Sequence, residues 1–326
     1  MQWFGRFSIS CIFVWAALMA SVYSSEAKTV RVGIPGHNIT QASFYMARDK
    51  GYYRDEGLEV QLIVMPAPVS NLALIAGNVE FTSVPTAAIT AALRGAPLRI
   101  LFTSFDRPLF WLYSRPEIPD LKALRGKKIG TSGLGAAETL LRDFLKRHGL
   151  EAGRDVTLIN TGADAVRYQS VVGGSTDATV ITLPWNFSAE DSGLRNLVAF
   201  TKEDMIQLTG SVVVQDRTLQ TDPEMVEKFI GATLKGHLAV RENRAEAISV
   251  LTRNIKIADS LAAKSYDVMR PALTPDGGLS EEDQRKALDL ILQVQSLKDS
   301  SPASRFFDFA VQKRVSAALK SKGWRP

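Results

Sequence analysis

The stretch KKIGTSGLGAAETLLRDFL, Lys127 to Leu145, turns a short apolar run through Gly133-Leu-Gly135 directly into an amphipathic helical pattern. A dinucleotide fingerprint shares that outline. It also needs a small residue five positions after its first glycine and a carboxylate at the end of the next strand for the ribose hydroxyls. Here the fifth position is Glu138, and the strand-like run Asp155–Ile159 ends in Asn160-Thr161-Gly162. The stretch predicts no nucleotide, and no cofactor is expected. What remains is a glycine-rich strand-to-helix turn, whose free backbone N–H groups and positive dipole end can hold a polar ligand group.

The same stretch is the second copy of an internal repeat. Arg31-Val-Gly33-Ile matches Lys128-Ile-Gly130-Thr, with the glycines 97 residues apart. Ala76-Gly-Asn-Val-Glu80 before Phe-Thr-Ser-Val84 is echoed by Gly173-Gly-Ser-Thr-Asp177 before Ala-Thr-Val-Ile181, again at 97. Between the anchors both copies run strand, helix (Gln41–Lys50; Ala136–Arg147), Gly-Leu turn, strand (Glu59–Met65; Val156–Asn160), helix. Each copy therefore reads β-α-β-α-β. Strands joined by helical crossovers form a parallel sheet with helices on both faces, and such sheets bind ligands beyond the carboxyl ends of their strands. Two units in tandem predict an α/β, bilobal fold with a central ligand cleft between two helix-flanked sheets.

The apolar run Ile9–Val22, preceded by the single charge Arg6 and followed by Ser25-Glu-Ala27, reads as a signal peptide cleaved after Ala27. This predicts export, and a periplasmic location. The only cysteine, Cys11, lies in that leader, so the exported chain has no thiol and depends on its core. Basic and acidic residues are interspersed, and Arg6 and Glu26 leave together, so the net charge stays at +5. Without a block of like charge, nucleic acid is not an expected partner.

Two strand-like runs, Leu109–Tyr113 and Ser211–Gln215, bracket the second copy and are the expected crossings between lobes, hence the hinge. After Asp222-Pro223 the chain reads as helices, with Glu224–Asn254 as one long pattern. The expected division is lobe 1 at 28–108 and 216–326, with lobe 2 inserted at 109–215.

The residues from Lys28 to about Phe200 resemble the substrate-binding proteins of ABC importers, in the branch that includes sulfonate, taurine, nitrate and thiamine-precursor binders. Val30-Arg-Val-Gly33, Met46-Ala-Arg-Asp-Lys-Gly-Tyr-Tyr-Arg-Asp-Glu-Gly-Leu-Glu-Val60, Leu74-Ile-Ala-Gly-Asn-Val-Glu-Phe81, Gly95-Ala-Pro-Leu-Arg99, Leu124-Arg-Gly-Lys-Lys-Ile-Gly130 and Asp177-Ala-Thr-Val carry the resemblance. It implies the type II fold of periplasmic binding proteins and a monomeric receptor. The receptor would close over one small molecule and deliver it to a membrane permease.

The ligand is expected at the loops after each strand. His37, Asn38 and Gln41 follow the first; Pro68, Ser70 and Asn71 the second; Thr86 the third. Phe105 stands near the lobe junction. In the second copy Ser132, Gly133, Gly135 and Ala136 form the opening turn, and Glu138 either complements its helix dipole or meets a ligand N–H in the cleft. Trp185, after Leu183-Pro184, offers a ring for stacking or a wedge between lobes. The hydroxyl and amide residues also read as plain helix caps. Same-fold enzymes of pyrimidine or menaquinone-type metabolism are the rival class, beside a sensor that does not transport. The three histidines, His37, His148 and His237, fall in unrelated places and the exported chain has no cysteine. Neither catalysis nor a metal is expected.

Overall fold

The structure is a computed structural model that describes residues 27–133 and 135–326; all but the last residue of the expected leader lie outside them. The first unit runs β1 (Lys28–Ile34), α1 (Ala42–Asp49), α2 (Tyr52–Asp55), β2 (Leu58–Val64), α3 (Ala67–Ile75), β3 (Phe81–Thr82), α4 (Pro85–Leu93) and β4 (Leu98–Phe105). The second runs β5 (Phe110–Ser114), β6 (Lys128–Thr131), α5 (Ala136–Arg147), β7 (Thr157–Asn160), α6 (Asp164–Val172), β8 (Ala178–Thr182), α7 (Trp185–Asp191) and β9 (Arg195–Ala199). Strand β10 (Thr209–Gln215) returns the chain to the first sheet, and six helices follow. They are α8 (Asp216–Thr221), α9 (Pro223–Glu242), α10 (Arg244–Leu251), α11 (Asp259–Met269), α12 (Glu281–Gln295) and α13 (Ala310–Ser321). Among the described residues no helix is long and apolar enough to cross a membrane.

The two sheets have the same plan, in the orders β2-β1-β3-β10-β4 and β7-β6-β8-β5-β9. In each, the first three strands are parallel and the last two are antiparallel neighbours. The repeat anchors explain the match. Glu80 accepts from the backbone N–H of Arg31 at 2.6 Å, and Asp177 from that of Lys128 at 2.8 Å, so each acid ties its strand to the start of a parallel neighbour. Thr82 donates to the carbonyl of Gly33 at 3.1 Å and Thr179 to that of Gly130 at 3.2 Å. A Cβ on Gly33 would lie 2.2 Å from Ser70 Oγ, and one on Gly130 3.0 Å from Thr179 Oγ1, so both glycines let side chains approach the sheet.

The chain crosses between lobes twice, each time from the fifth strand of one sheet to the fourth of the other. This corrects the expected hinge. Phe110–Ser114 lies wholly in the second sheet, and Thr209–Gln215 wholly in the first, not in lobe 2 as the boundary at 215 supposed. The crossings are the short segments Asp106–Leu109 and Phe200–Leu208, held together by Gln207 N–H donating to the Asp106 carbonyl at 3.0 Å. The run Glu224–Asn254 is likewise two helices: α9 ends at Glu242, and the side chain of Asn243 caps α10 by accepting from Glu246 N–H at 3.1 Å.

The first lobe keeps a buried polar chain in its core. Ser104 donates to Ser43, Ser43 donates to His237 Nδ1 at 3.2 Å, and His237 Nε2–H donates to the Thr274 carbonyl at 2.8 Å. This arrangement uses the neutral ring. Burial is the main cause that lowers the His237 pKa to about 4, opposed by the bond to Thr274. An unfolded histidine titrates near 6.5, so the unfolded chain takes up the proton first as pH falls, and stability is lost between pH ~6.5 and ~4, by roughly 3 kcal/mol in all. Urea titrations across this range should show wild type losing more stability than His237→Gln, whose amide can keep both bonds. Parallel pH profiles would refute the account.

Candidate functional site

The carboxyl ends of the parallel strands of both sheets face one cavity of about 250 Å3. From the first lobe it is lined by Pro35, Asn38, Thr40 and Gln41 after β1, Met65–Ala67 after β2, and Ser83–Ala87 after β3. The second lobe adds Ser132, Gly135 and Ala136 after β6, Gly162–Asp164 and Arg167 after β7, and Thr182 at the end of β8. The antiparallel strands β5 and β10 start at this same edge, which brings in Phe110 and Thr209. Val64, Met65, Pro66, Val84, Pro85, Phe110 and Leu208 make the apolar part of the wall.

The polar part is built from few residues. Asn38 Oδ1 accepts from Thr40 N–H at 3.0 Å and from Thr40 Oγ1 at 2.7 Å. With its proton so placed, Thr40 Oγ1 accepts from Gln41 Nε2 at 2.8 Å, which leaves Gln41 Oε1 without a partner. Ser83 Oγ and Thr209 Oγ1 are also buried and unpartnered. Buried polar atoms are seldom left so, and in a cavity wall they are places for ligand hydrogen bonds. Asp164 and Arg167 are the titratable residues among those lining the cavity, and they pair with each other. Arg167 also donates through Nε to the Val180 carbonyl at 2.7 Å and through a terminal nitrogen to that of Gly162.

Of the expected ligand residues, Asn38, Gln41, Thr86, Ser132, Gly135 and Ala136 come together on this wall. The others stand elsewhere. Trp185 opens α7 with its ring 5.3 Å from that of Tyr168 of the same lobe, packed on an apolar cluster, and it does not line the cavity. Phe105 is fully buried in β4. Ser70 bonds to Thr82 of the sheet, and Asn71 is buried on α3; neither lines the cavity. Pro68 lies in the first turn of α3, outside the lining. Gly133, at φ +62°, packs against Asn160, where a Cβ would approach to 2.7 Å. His37 is exposed, with Nδ1 3.3 Å from Tyr45 Oη; partial burial, then Arg48 and Lys256, lower its pKa. Phe110, Asp164 and Thr209 line the cavity as well, beyond the residues the sequence points to. Asp164 lay in a loop expected to reach the cleft; Thr209 had no signal, since the direction of β10 is not written in its sequence.

Glu138 is buried and spent. It accepts from Thr131 Oγ1 at 2.9 Å and from Arg142 Nε at 2.8 Å, tying the end of β6 to the first turns of α5. Glu138→Ala should therefore lower stability by about 1–3 kcal/mol in urea unfolding, through the two lost partners. Ligand affinity of the folded variant should stay within about twofold of wild type. A large affinity loss at unchanged stability would place this carboxylate in the ligand site instead.

The family described as NMT1/THI5 like matches residues 38–247. The chain is 25% identical over 210 residues to 4-amino-5-hydroxymethyl-2-methylpyrimidine phosphate synthase of Aspergillus parasiticus, covering 59% of this chain and 60% of that one. It is 24% identical over 230 residues to the riboflavin-binding protein RibY of Chloroflexus aurantiacus, at 65% and 62% coverage. With the formylaminopyrimidine-binding protein of Halalkalibacterium halodurans it shares 25% over 267 residues, at 76% and 77%. The chain thus spans about three fifths of the length of the first two. Its fold is that of the alkanesulfonate-binding protein SsuA of Xanthomonas axonopodis pv. citri, with a TM-score of 0.70 at 19% identity over 87% of this chain and 99% of that one.

Proposed function

We propose, for a chain that belongs to the NMT1/THI5 like family, that it is the extracytoplasmic binding component of an ABC importer. Its ligand is a neutral or cationic planar nitrogen heterocycle of the pyrimidine type, handed on to a permease in the membrane. The observation that carries this reading is the charge of the wall. An oxyanion needs N–H donors or a free cation, whereas the basic group here, Arg167, already gives its hydrogen bonds to Asp164, Val180 and Gly162.

Two of the helices around the cavity open on proline, Pro66 before α3 and Pro85 in α4, which removes backbone donors from those ends. Acceptors remain in Asp164 and the unpartnered Gln41 Oε1, with the unpartnered Ser83 and Thr209 hydroxyls able to accept or donate. A flat ring bearing N–H groups matches them, with its faces against Phe110, Pro66 and Pro85. The three relatives support that class, since each handles a pyrimidine alone or a fused ring containing one. One of them is an enzyme. In this cavity the titratable pair Asp164 and Arg167 is engaged internally, which favours capture over turnover.

Calorimetry with 4-amino-5-hydroxymethyl-2-methylpyrimidine, riboflavin, taurine and nitrate tests the reading. A heterocycle should bind with a Kd of about 1 μM or tighter, and the anions at least about a hundredfold more weakly. Taurine or nitrate binding as tightly as any heterocycle would overturn it, and so would conversion of a bound heterocycle seen by mass spectrometry.

A further inference from the structure

The repeat places α3 and α6 at the same point of the two units, with both ends 97 residues apart. Ala67 and Ser70 of the first lobe therefore stand where Asp164 and Arg167 stand in the second. The first lobe joins its helix to its sheet with a small apolar residue and a hydroxyl, Ser70 bonding to Thr82. The second does it with an ion pair whose side chains are 9% and 4% exposed. Burying two charges costs more desolvation than burying an alanine and a serine, so fold alone does not call for the pair. Its position suggests another reason: Ala67, Asp164 and Arg167 all line the ligand cavity.

The bonds around the pair are unevenly divided. Asp164 Oδ1 takes the Arg167 guanidinium and the Thr182 N–H, at 3.1 Å for the latter. Among the described residues Oδ2 has one protein donor, Asn38 Nδ2 of the opposite lobe, at the long distance of 3.3 Å. A carboxylate oxygen accepts two donors, so Oδ2 can take a second. Asn38 is itself fixed by Thr40, and Arg167 by two carbonyls, so the carboxylate is held from both sides of the cleft.

We propose that Asp164 is the residue that selects an amino-substituted heterocycle, its Oδ2 accepting an N–H of the ligand's exocyclic amine beside Asn38. Arg167 is the positioning residue. This rests on the heterocycle reading above and adds to it a donor-bearing edge and a contact shared by both lobes, so that recognition and lobe closure meet on one oxygen. A ligand without the amine leaves Oδ2 with its single donor and gains nothing from the pair.

Two variants and two ligands test it. Asp164→Asn keeps the shape and removes the charge; the double variant Asp164→Ala, Arg167→Ser writes the first-lobe residues into the second. The probes are 4-amino-5-hydroxymethyl-2-methylpyrimidine and its analogue with hydrogen in place of the amine. Both variants should fold, by circular dichroism, and bind the amine about thirtyfold or more weakly than wild type, the range of a charge-assisted hydrogen bond. Both should bind the analogue within about threefold of wild type. Equal weakening for the two probes would mean a general loss of the cavity and overturn the assignment, as would Asp164→Asn with wild-type affinity for the amine. Failure of either variant to fold would make the pair a requirement of the fold and overturn it too. Wild type that binds the amine no better than the analogue overturns this inference while leaving the heterocycle reading intact; wild type that binds neither removes both.

Discussion

A carboxylate accepting from a backbone N–H, Glu80 to Arg31 and again Asp177 to Lys128, sets the rest of the molecule. The two bonds fix the parallel strands β3 and β8 beside β1 and β6, so that the carboxyl ends of each pair lie at one edge of its sheet. Crossover helices must then start at that edge, leaving loops and first helical turns as the material available to a ligand. The two edges meet across one cavity, so the site follows from register, with side chains filling in its chemistry.

The repeat is strict where the fold depends on it and broken where the cavity does. Gly33 and Gly130, Thr82 and Thr179, Glu80 and Asp177 are matched in kind and in bonds. Ala67 and Ser70 against Asp164 and Arg167 are not matched, although their helices begin at equivalent positions. Two copies under the same packing constraint act as each other's control. A difference that the fold does not need falls on the ligand side, and here it adds one buried charge pair to a wall that is otherwise apolar or hydrogen-bonding.

The sequence showed the two-unit plan and the six strand ends because anchors and turn signals are local: a glycine, an acid and an apolar run suffice to place them. It did not show which side chain of a first helical turn faces the cavity. Ser70 and Asn71 lie in α3, near the expected edge, yet neither reaches the wall, Ser70 bonding to Thr82 instead, and Ala67 lines the cavity. Trp185 against Phe110 is a similar case. Both are large rings near the cleft, but the direction of β5 puts Phe110 at the ligand edge, while the start of α7 turns Trp185 onto Tyr168. Strand direction and helix phase are tertiary facts, which a local pattern does not carry.

Closure of the lobes is constrained more tightly than two crossing strands would allow. One apolar cluster includes Ile39 and Tyr45 of the first lobe, Leu109 of a crossing, and Trp111, Ile181 and Leu183 of the second. On another face, α12 packs on α5, with Gln293 Nε2 donating to Asp143 Oδ1 at 3.1 Å. A wide opening would part such contacts at about 25 cal/mol per Å2 of apolar surface exposed. Asp106–Leu109 and Phe200–Leu208, tied by the bond from Gln207 to Asp106, are the segments about which a rotation of the lobes would turn. In the receptor reading proposed above, the cleft would part at the Asn38 to Asp164 contact, a polar link of 3.3 Å across the cavity. A ligand that strengthened that link would hold the two lobes together there.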